Sequence, residues 1–190
     1  SYSKALELKP NYPDAHNNLG LALQEQGDLT AAITSYNKAL ELKPNYPDAY
    51  NNLSVTLLEQ GDPTAAIASC NKALQLKPNY PDAYNNLGAA LQEQGDLTAA
   101  IASYNKALEL KPNYPDAHNN LGVALKEQGD LTAAIASYNK ALELKPNYPD
   151  AHNNLGVALQ EQGDLTAAIT SYNKALELKP NYPDAHNNLG

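Results

Sequence analysis

A block of 34 residues recurs almost letter for letter through the chain, with Pro10, Pro44, Pro78, Pro112, Pro146 and Pro180 marking the same point in each copy. One copy, Pro13 to Tyr46, reads PDAHNNLGLALQEQGDLTAAITSYNKALELKPNY. A fixed period of this size argues against one globular core and for stacked supersecondary units, each touching mainly its neighbours. Stacking of that kind produces a long, curved surface, which favours binding over catalysis.

Each copy reads as two helices. Pro13 opens the first, because its missing N–H costs nothing in a first turn. Asp14 follows at the positive end of the helix dipole. This helix runs to about Gln26, and Gly27 allows a left-handed C-terminal turn. Asp28 is an N-cap for the second helix, Leu29 to about Leu42, which Pro44 prevents from continuing. In the second copy Pro63 replaces leucine directly after Asp62, at a first helical position where proline is tolerated.

Projection at 100° per residue places His16, Leu19, Gly20 and Leu23 on the side that meets the second helix. Ala15 and Ala22 lie on a flank suited to a neighbouring repeat, and Asp14, Asn17, Asn18, Leu21 and Glu25 fall on the opposite side. Ala32, Ile33, Tyr36, Ala39 and Leu40 form the apolar stripe of the second helix.

The offsets of His16, Leu19, Gly20, Leu23, Ala32, Tyr36, Ala39 and Pro44 resemble the tetratricopeptide-repeat motif over the whole chain. Departures are His or Tyr at the usual Trp position and Leu at the usual Tyr position. The resemblance implies an all-α tetratricopeptide-repeat solenoid, a right-handed superhelix of helix-turn-helix repeats. The register gives one array of five whole repeats, 13–46, 47–80, 81–114, 115–148 and 149–182. Residues 1–12 read as the second helix of a preceding repeat and 183–190 as the start of a following one, as in a segment of a longer array. Both ends are then expected to show apolar faces, Ala5 and Leu6 at one and Ala185 and Leu189 at the other, which would fit a second copy head to tail. In the second repeat Ser54 replaces Gly and Cys70 replaces Tyr, two changes expected to weaken its packing.

In this family the first helices line the concave face. By resemblance that face carries Asn17, Asn51, Asn85, Asn119 and Asn153, and beside them Asn18, Asn52, Asn86, Asn120, Asn154 and Asn188. A side-chain amide offers an acceptor and two donors, enough to pair with both the C=O and the N–H of an extended peptide. The series is similar to the asparagine ladder in the superhelical arm of the O-linked N-acetylglucosamine transferases, which grips the main chain of protein substrates. Bonds between neighbouring helices are the other role such asparagines can have. Leu21, Val55, Ala89, Val123 and Val157 add an aliphatic strip, and Lys126 is the only lysine in the first helices. The carboxylate clamp of chaperone-binding tetratricopeptide domains needs Lys or Arg where this chain has Asn17 and its equivalents.

The net charge is −8, arginine is absent, and the lysines alternate with Glu and Asp. This balance argues against nucleic acid as a partner. No apolar run is long enough for a membrane span and no leader pattern opens the chain, so a cytoplasmic location is expected. Cys70, alone, takes a tyrosine position and reads as a small buried hydrophobe. His118, His152 and His186 are one repeat apart, too far for metal bonds of about 2.0–2.1 Å from a shared zinc, and Tyr50 and Tyr84 fill the same position. No catalytic residue, metal or cofactor is expected. The sequence reads as a non-enzymatic scaffold for an extended peptide or protein. A substrate-recruiting arm of a larger bacterial transferase and a self-associating superhelix are the alternatives.

Overall fold

The computed structural model of the chain describes residues 11–189, so the helix expected over 1–12, with Ala5 and Leu6, lies outside the described residues apart from 11 and 12. The chain divides into two compact units, Ser1–Asp96 and Leu97–Gly190. The first contains α1 (Pro13–Glu25), α2 (Leu29–Leu42), α3 (Pro47–Glu59), α4 (Pro63–Leu76) and α5 (Pro81–Glu93). The second contains α6 (Leu97–Leu110), α7 (Pro115–Gln128), α8 (Leu131–Leu144), α9 (Pro149–Gln162), α10 (Leu165–Leu178) and α11 (Pro183–Leu189). Within each unit, successive helices pack as antiparallel pairs and each pair packs on the next, the arrangement of a helical repeat solenoid.

Local chemistry sets the helix ends. Proline occupies the first turn of α1, α3, α4, α5, α7 and α9. Asp28, Asp62, Asp130 and Asp164 each accept, through Oδ1, the backbone N–H three residues on, at 2.9–3.1 Å. That bond satisfies one of the orphan donors of the second helix. The turn between the helices needs a positive φ, which Gly27 supplies at 80°. It is closed by Asp28 N–H to Leu23 O (3.0 Å) and Gly27 N–H to Gln24 O (2.9 Å), a Schellman arrangement.

Thin layers of alanine around one large ring make up the core. In the first unit Tyr36 is fully buried with Ala32 and Leu53, flanked by Leu23, Ile33, Leu40 and Leu57. In the second unit Tyr138 holds the same place with Ala134, Leu155 and Ala158. Gly20, Gly122 and Gly156 let the rings in: a Cβ there would lie 2.6, 2.6 and 2.5 Å from Cε1 of Tyr36, Tyr138 and Tyr172.

The second repeat solves this contact differently. The changes at 54 and 70, which the sequence presents as two separate losses, meet each other: the Ser54 hydroxyl donates to Asn51 O (2.7 Å) beside the Cys70 side chain, and both are buried. Serine fills space that the absent ring vacates. Leu58 also stands where Gln24 accepts the Tyr36 hydroxyl (3.1 Å), and no hydroxyl remains at 70 to need that amide.

A second tyrosine seals each seam. Tyr46 precedes Pro47 yet is buried between Ala39 and Ala49, and its hydroxyl bonds back to Asp14 at the start of its own repeat. The pairs Tyr80–Asp48, Tyr148–Asp116 and Tyr182–Asp150 repeat this. Lys43, Lys77, Lys111, Lys145 and Lys179 lie over the tyrosine rings three residues on, 3.8–4.3 Å from their centroids. Such cation–π contacts contribute about 0.5–1 kcal/mol each at exposed sites.

The expectation for the C-terminal end is corrected. Ala185 is fully buried against Ala175 and Tyr182, and Leu189 is half-buried, because α11 packs on α10. The exposed apolar residues of this region are instead Leu165 (60%) and Ile169 (51%) of α10.

Candidate functional site

The first helices carry the asparagine pairs, and burial separates the two members. Asn17, Asn51, Asn85, Asn119 and Asn153 are 5–8% exposed. They were expected on the open side of the first helix. A projection of one helix does not show the next repeat, whose first helix covers that flank: α1 touches α3, α3 touches α5, and α7 touches α9. The second members, Asn18, Asn52, Asn86, Asn120, Asn154 and Asn188, are half-buried.

The two members bond across repeats. Asn52 Nδ2 donates to Asn17 Oδ1 (3.0 Å) and Asn86 Nδ2 to Asn51 Oδ1 (2.9 Å) in the first unit. In the second unit Asn154 Nδ2 donates to Asn119 Oδ1 (3.0 Å) and Asn188 Nδ2 to Asn153 Oδ1 (3.1 Å). Asn52, Asn86, Asn154 and Asn188 thus each spend one donor on the fold and keep one N–H and an oxygen. Asn119 Nδ2 also reaches Asn120 Oδ1 at 3.5 Å, the outer limit of a hydrogen bond.

Beside the amides, Leu21 is 38% exposed and Val55, Ala89, Val123 and Val157 are half-buried. Val123 packs on the core cluster around Tyr138, so only part of it is available to a ligand. Lys126 is paired with Glu161 of the next repeat at 3.6 Å. That lysine also stands where Gln160 accepts the Tyr172 hydroxyl (2.7 Å), and the Tyr138 hydroxyl is left buried with no partner among the described residues.

The histidines serve the connections between repeats. His118, His152 and His186 donate from Nε2 to the carbonyls of Pro112, Pro146 and Pro180 at 2.9–3.0 Å. The tyrosine at this position, Tyr50, packs instead on the cluster of Ala73, Tyr80 and Ala83. On another flank, surface clefts of about 470 and 480 Å³ recur in the two units, lined by His152, Leu155, Ser171 and Lys174 in one and by His16, Leu19, Ser35 and Lys38 in the other. Their lysines are tied to Glu177 and Glu41 at 2.9 Å.

Burial pushes the Cys70 thiol up to about 11, the Ser54 hydroxyl offsetting this in part, so it stays protonated at neutral pH. The chemistry the first helices offer is hydrogen bonding by neutral amides at one register position per repeat. The tyrosine–aspartate–lysine seams were not visible in the sequence, because Asp14 and Tyr46 stand at opposite ends of a repeat; only the recurrence of both letters hints at them.

A family model described as TPR repeat matches residues 1–27, 22–61, 56–95, 90–129, 124–163 and 158–190. No curated protein sequence matches the chain. Among solved structures, MamA is 31% identical with a TM-score of 0.73, covering 85% of this chain and 94% of MamA. TTC0263, a thermophilic TPR protein of Thermus thermophilus, is 26% identical with a TM-score of 0.79, covering 92% of this chain and 95% of that one. YrrB, described as a TPR protein with an unusual peptide-binding site, is 24% identical with a TM-score of 0.69, covering 98% of this chain and 96% of YrrB. Among the described residues no helix is long and apolar enough to cross a membrane.

Proposed function

The chain belongs to the tetratricopeptide-repeat family, and on that premise we propose that it is a non-enzymatic scaffold that holds an extended peptide or protein segment along the face of its first helices. One observation carries this reading: the second asparagine recurs half-buried in the described first helices, and Asn52, Asn86, Asn154 and Asn188 keep amide capacity after their bond to the preceding repeat. A row of neutral amides pairs with main-chain groups and so tolerates many ligand sequences. The partly open Leu21, Val55, Val123 and Val157 supply apolar contact beside it.

The test is fluorescence anisotropy with several unrelated unstructured peptides against the chain and its Asn52→Ala/Asn86→Ala variant. A net worth of about 0.5–1.5 kcal/mol per hydrogen bond makes the double change cost several-fold or more in affinity, for all the peptides together. Unchanged affinity with helicity intact by circular dichroism would leave these amides a structural role alone.

A further inference from the structure

The amide–amide bonds decide which end of each second asparagine reaches the surface. The torsion of a terminal carboxamide is broad and roughly two-fold. An unrestrained surface asparagine therefore presents its oxygen and its NH2 outward with similar ease. Here the inward partner is a carbonyl oxygen, Asn17 Oδ1 for Asn52 and Asn51 Oδ1 for Asn86, at 3.0 and 2.9 Å. An oxygen of that kind receives only an N–H. With the inner amide in that orientation, Nδ2 turns in and Oδ1 turns out.

The acceptors are buried. Asn17 and Asn51 are 5% and 8% exposed, while Asn52 and Asn86 are half-buried. The second unit repeats the bond at 3.0 and 3.1 Å through Asn119 and Asn153. Flipping the outer amide alone would set two oxygens against each other and leave a buried acceptor unpaired, a cost of about 1–3 kcal/mol, or a preference of roughly 5- to 150-fold for one orientation.

We propose that the buried first asparagines Asn17, Asn51, Asn119 and Asn153 are positioning residues, each of which fixes the next repeat's second asparagine with Oδ1 outward as an acceptor for ligand main-chain N–H groups. This rests on the peptide reading above. It adds that the outward oxygens read N–H groups of the bound strand, so a ligand with proline at the registered positions binds more weakly, because proline has no N–H.

Asn51 and Asn86 test it. Nuclear magnetic resonance of the free protein should show one slowly exchanging side-chain proton on Asn86, and Asn51→Ala should make both exchange fast. A fluorescein-labelled, unstructured serine-rich peptide then probes binding to Asn86→Ala, Asn51→Ala and Asn51→Asp, each checked for helicity. Asn51→Ala should weaken binding about three- to tenfold, the worth of one oriented hydrogen bond. Asn51→Asp keeps an acceptor for Asn86 Nδ2 and should restore most of the affinity. Loss with Asn86→Ala but none with Asn51→Ala overturns the positioning role and leaves the peptide reading standing. An aspartate variant that is folded but as weak as alanine, or fast exchange of both Asn86 protons in the unaltered chain, overturns it too. No effect of Asn86→Ala, or no binding by the unaltered chain, overturns the peptide reading and this inference with it.

Discussion

Replacing Cys70 by tyrosine, alone and together with Ser54→Gly, tests whether the second repeat's departures compensate one another. Where the glycine is kept, an added Cβ would stand 2.5–2.6 Å from the tyrosine ring. Carbon atoms pack best at about 3.5–4.0 Å, so a tyrosine at 70 would overlap the Ser54 side chain by roughly 1 Å. Ser54 is 1% exposed and Cys70 0%, and neither has open solvent to retreat into. Overpacking of this kind costs about 1–3 kcal/mol, so Cys70→Tyr alone should destabilise the chain although it adds apolar area. Ser54→Gly alone removes buried atoms and the bond to Asn51 O, and glycine in a helix costs a few tenths of a kcal/mol more than serine; about 1 kcal/mol should be lost. The double variant reproduces the Gly20–Tyr36 contact and should be more stable than either single one, with a coupling of about 1–3 kcal/mol. Adding Leu58→Gln supplies the acceptor that Gln24 gives Tyr36, worth about 1 kcal/mol more. Because repeat arrays depart from two-state unfolding, urea denaturation should be paired with amide hydrogen exchange over residues 47–80. The reasoning fails if Cys70→Tyr alone is as stable as the unaltered chain, or if the two changes add to within about 0.5 kcal/mol.

Lys126→Gln should stabilise the second unit by about 1 kcal/mol in urea titrations, because it offers the orphaned Tyr138 hydroxyl the acceptor that Gln160 gives Tyr172. The part-exposed Lys126–Glu161 pair lost in exchange is worth no more than about 0–1 kcal/mol. Asp130→Ala removes the bond to Ala133 N–H and should cost about 1 kcal/mol in the same assay, with the loss centred on α8. Alkaline titration should unfold the chain. Burial raises Tyr36 from 10.0 to about 12 and also raises Tyr46, Tyr80, Tyr104 and Tyr138, so the folded state holds protons that the unfolded state releases. That stability is complete below pH 10 and is lost as pH climbs through the folded values. Phenolate absorbance should therefore rise late and together with loss of helicity, and an early rise with helicity intact would contradict the burial argument.

What the letters disclosed and what they hid divide by range. Pro13, Gly27, Asp28 and Pro63 act on the turn in which they sit, and each does in the structure what its local chemistry requires. The eight-residue motif, recurring at a fixed period, was enough to identify the fold. Asn17 was misplaced because its burial comes from a helix one repeat further on. Ser54 and Cys70 were read as separate losses because they sit on different helices and meet only when the pair folds. Ala185 was expected exposed because a terminal position was treated as uncovered, whereas Tyr182 and Ala175 enclose it. For the binding face, the sequence disclosed which amides recur but not their orientation, which depends on a hydrogen bond between repeats.

The tyrosine that introduces each first helix also completes the repeat before it, and this bears on how such a gene can change length. Tyr46 leads into Pro47, but its hydroxyl belongs to Asp14 and its ring to Lys43. The segment LKPNYPDA that spans this joint is unaltered in all six of its occurrences, while the interior of the second repeat differs from the others. Unequal crossing-over that removes or inserts a whole 34-residue block joins an aspartate to a tyrosine and lysine indistinguishable from those it displaced. An excision of any other length leaves an aspartate opposite the wrong loop. The joint is thus a standard coupling, and the array can be shortened or extended in whole repeats without redesign of the parts that remain.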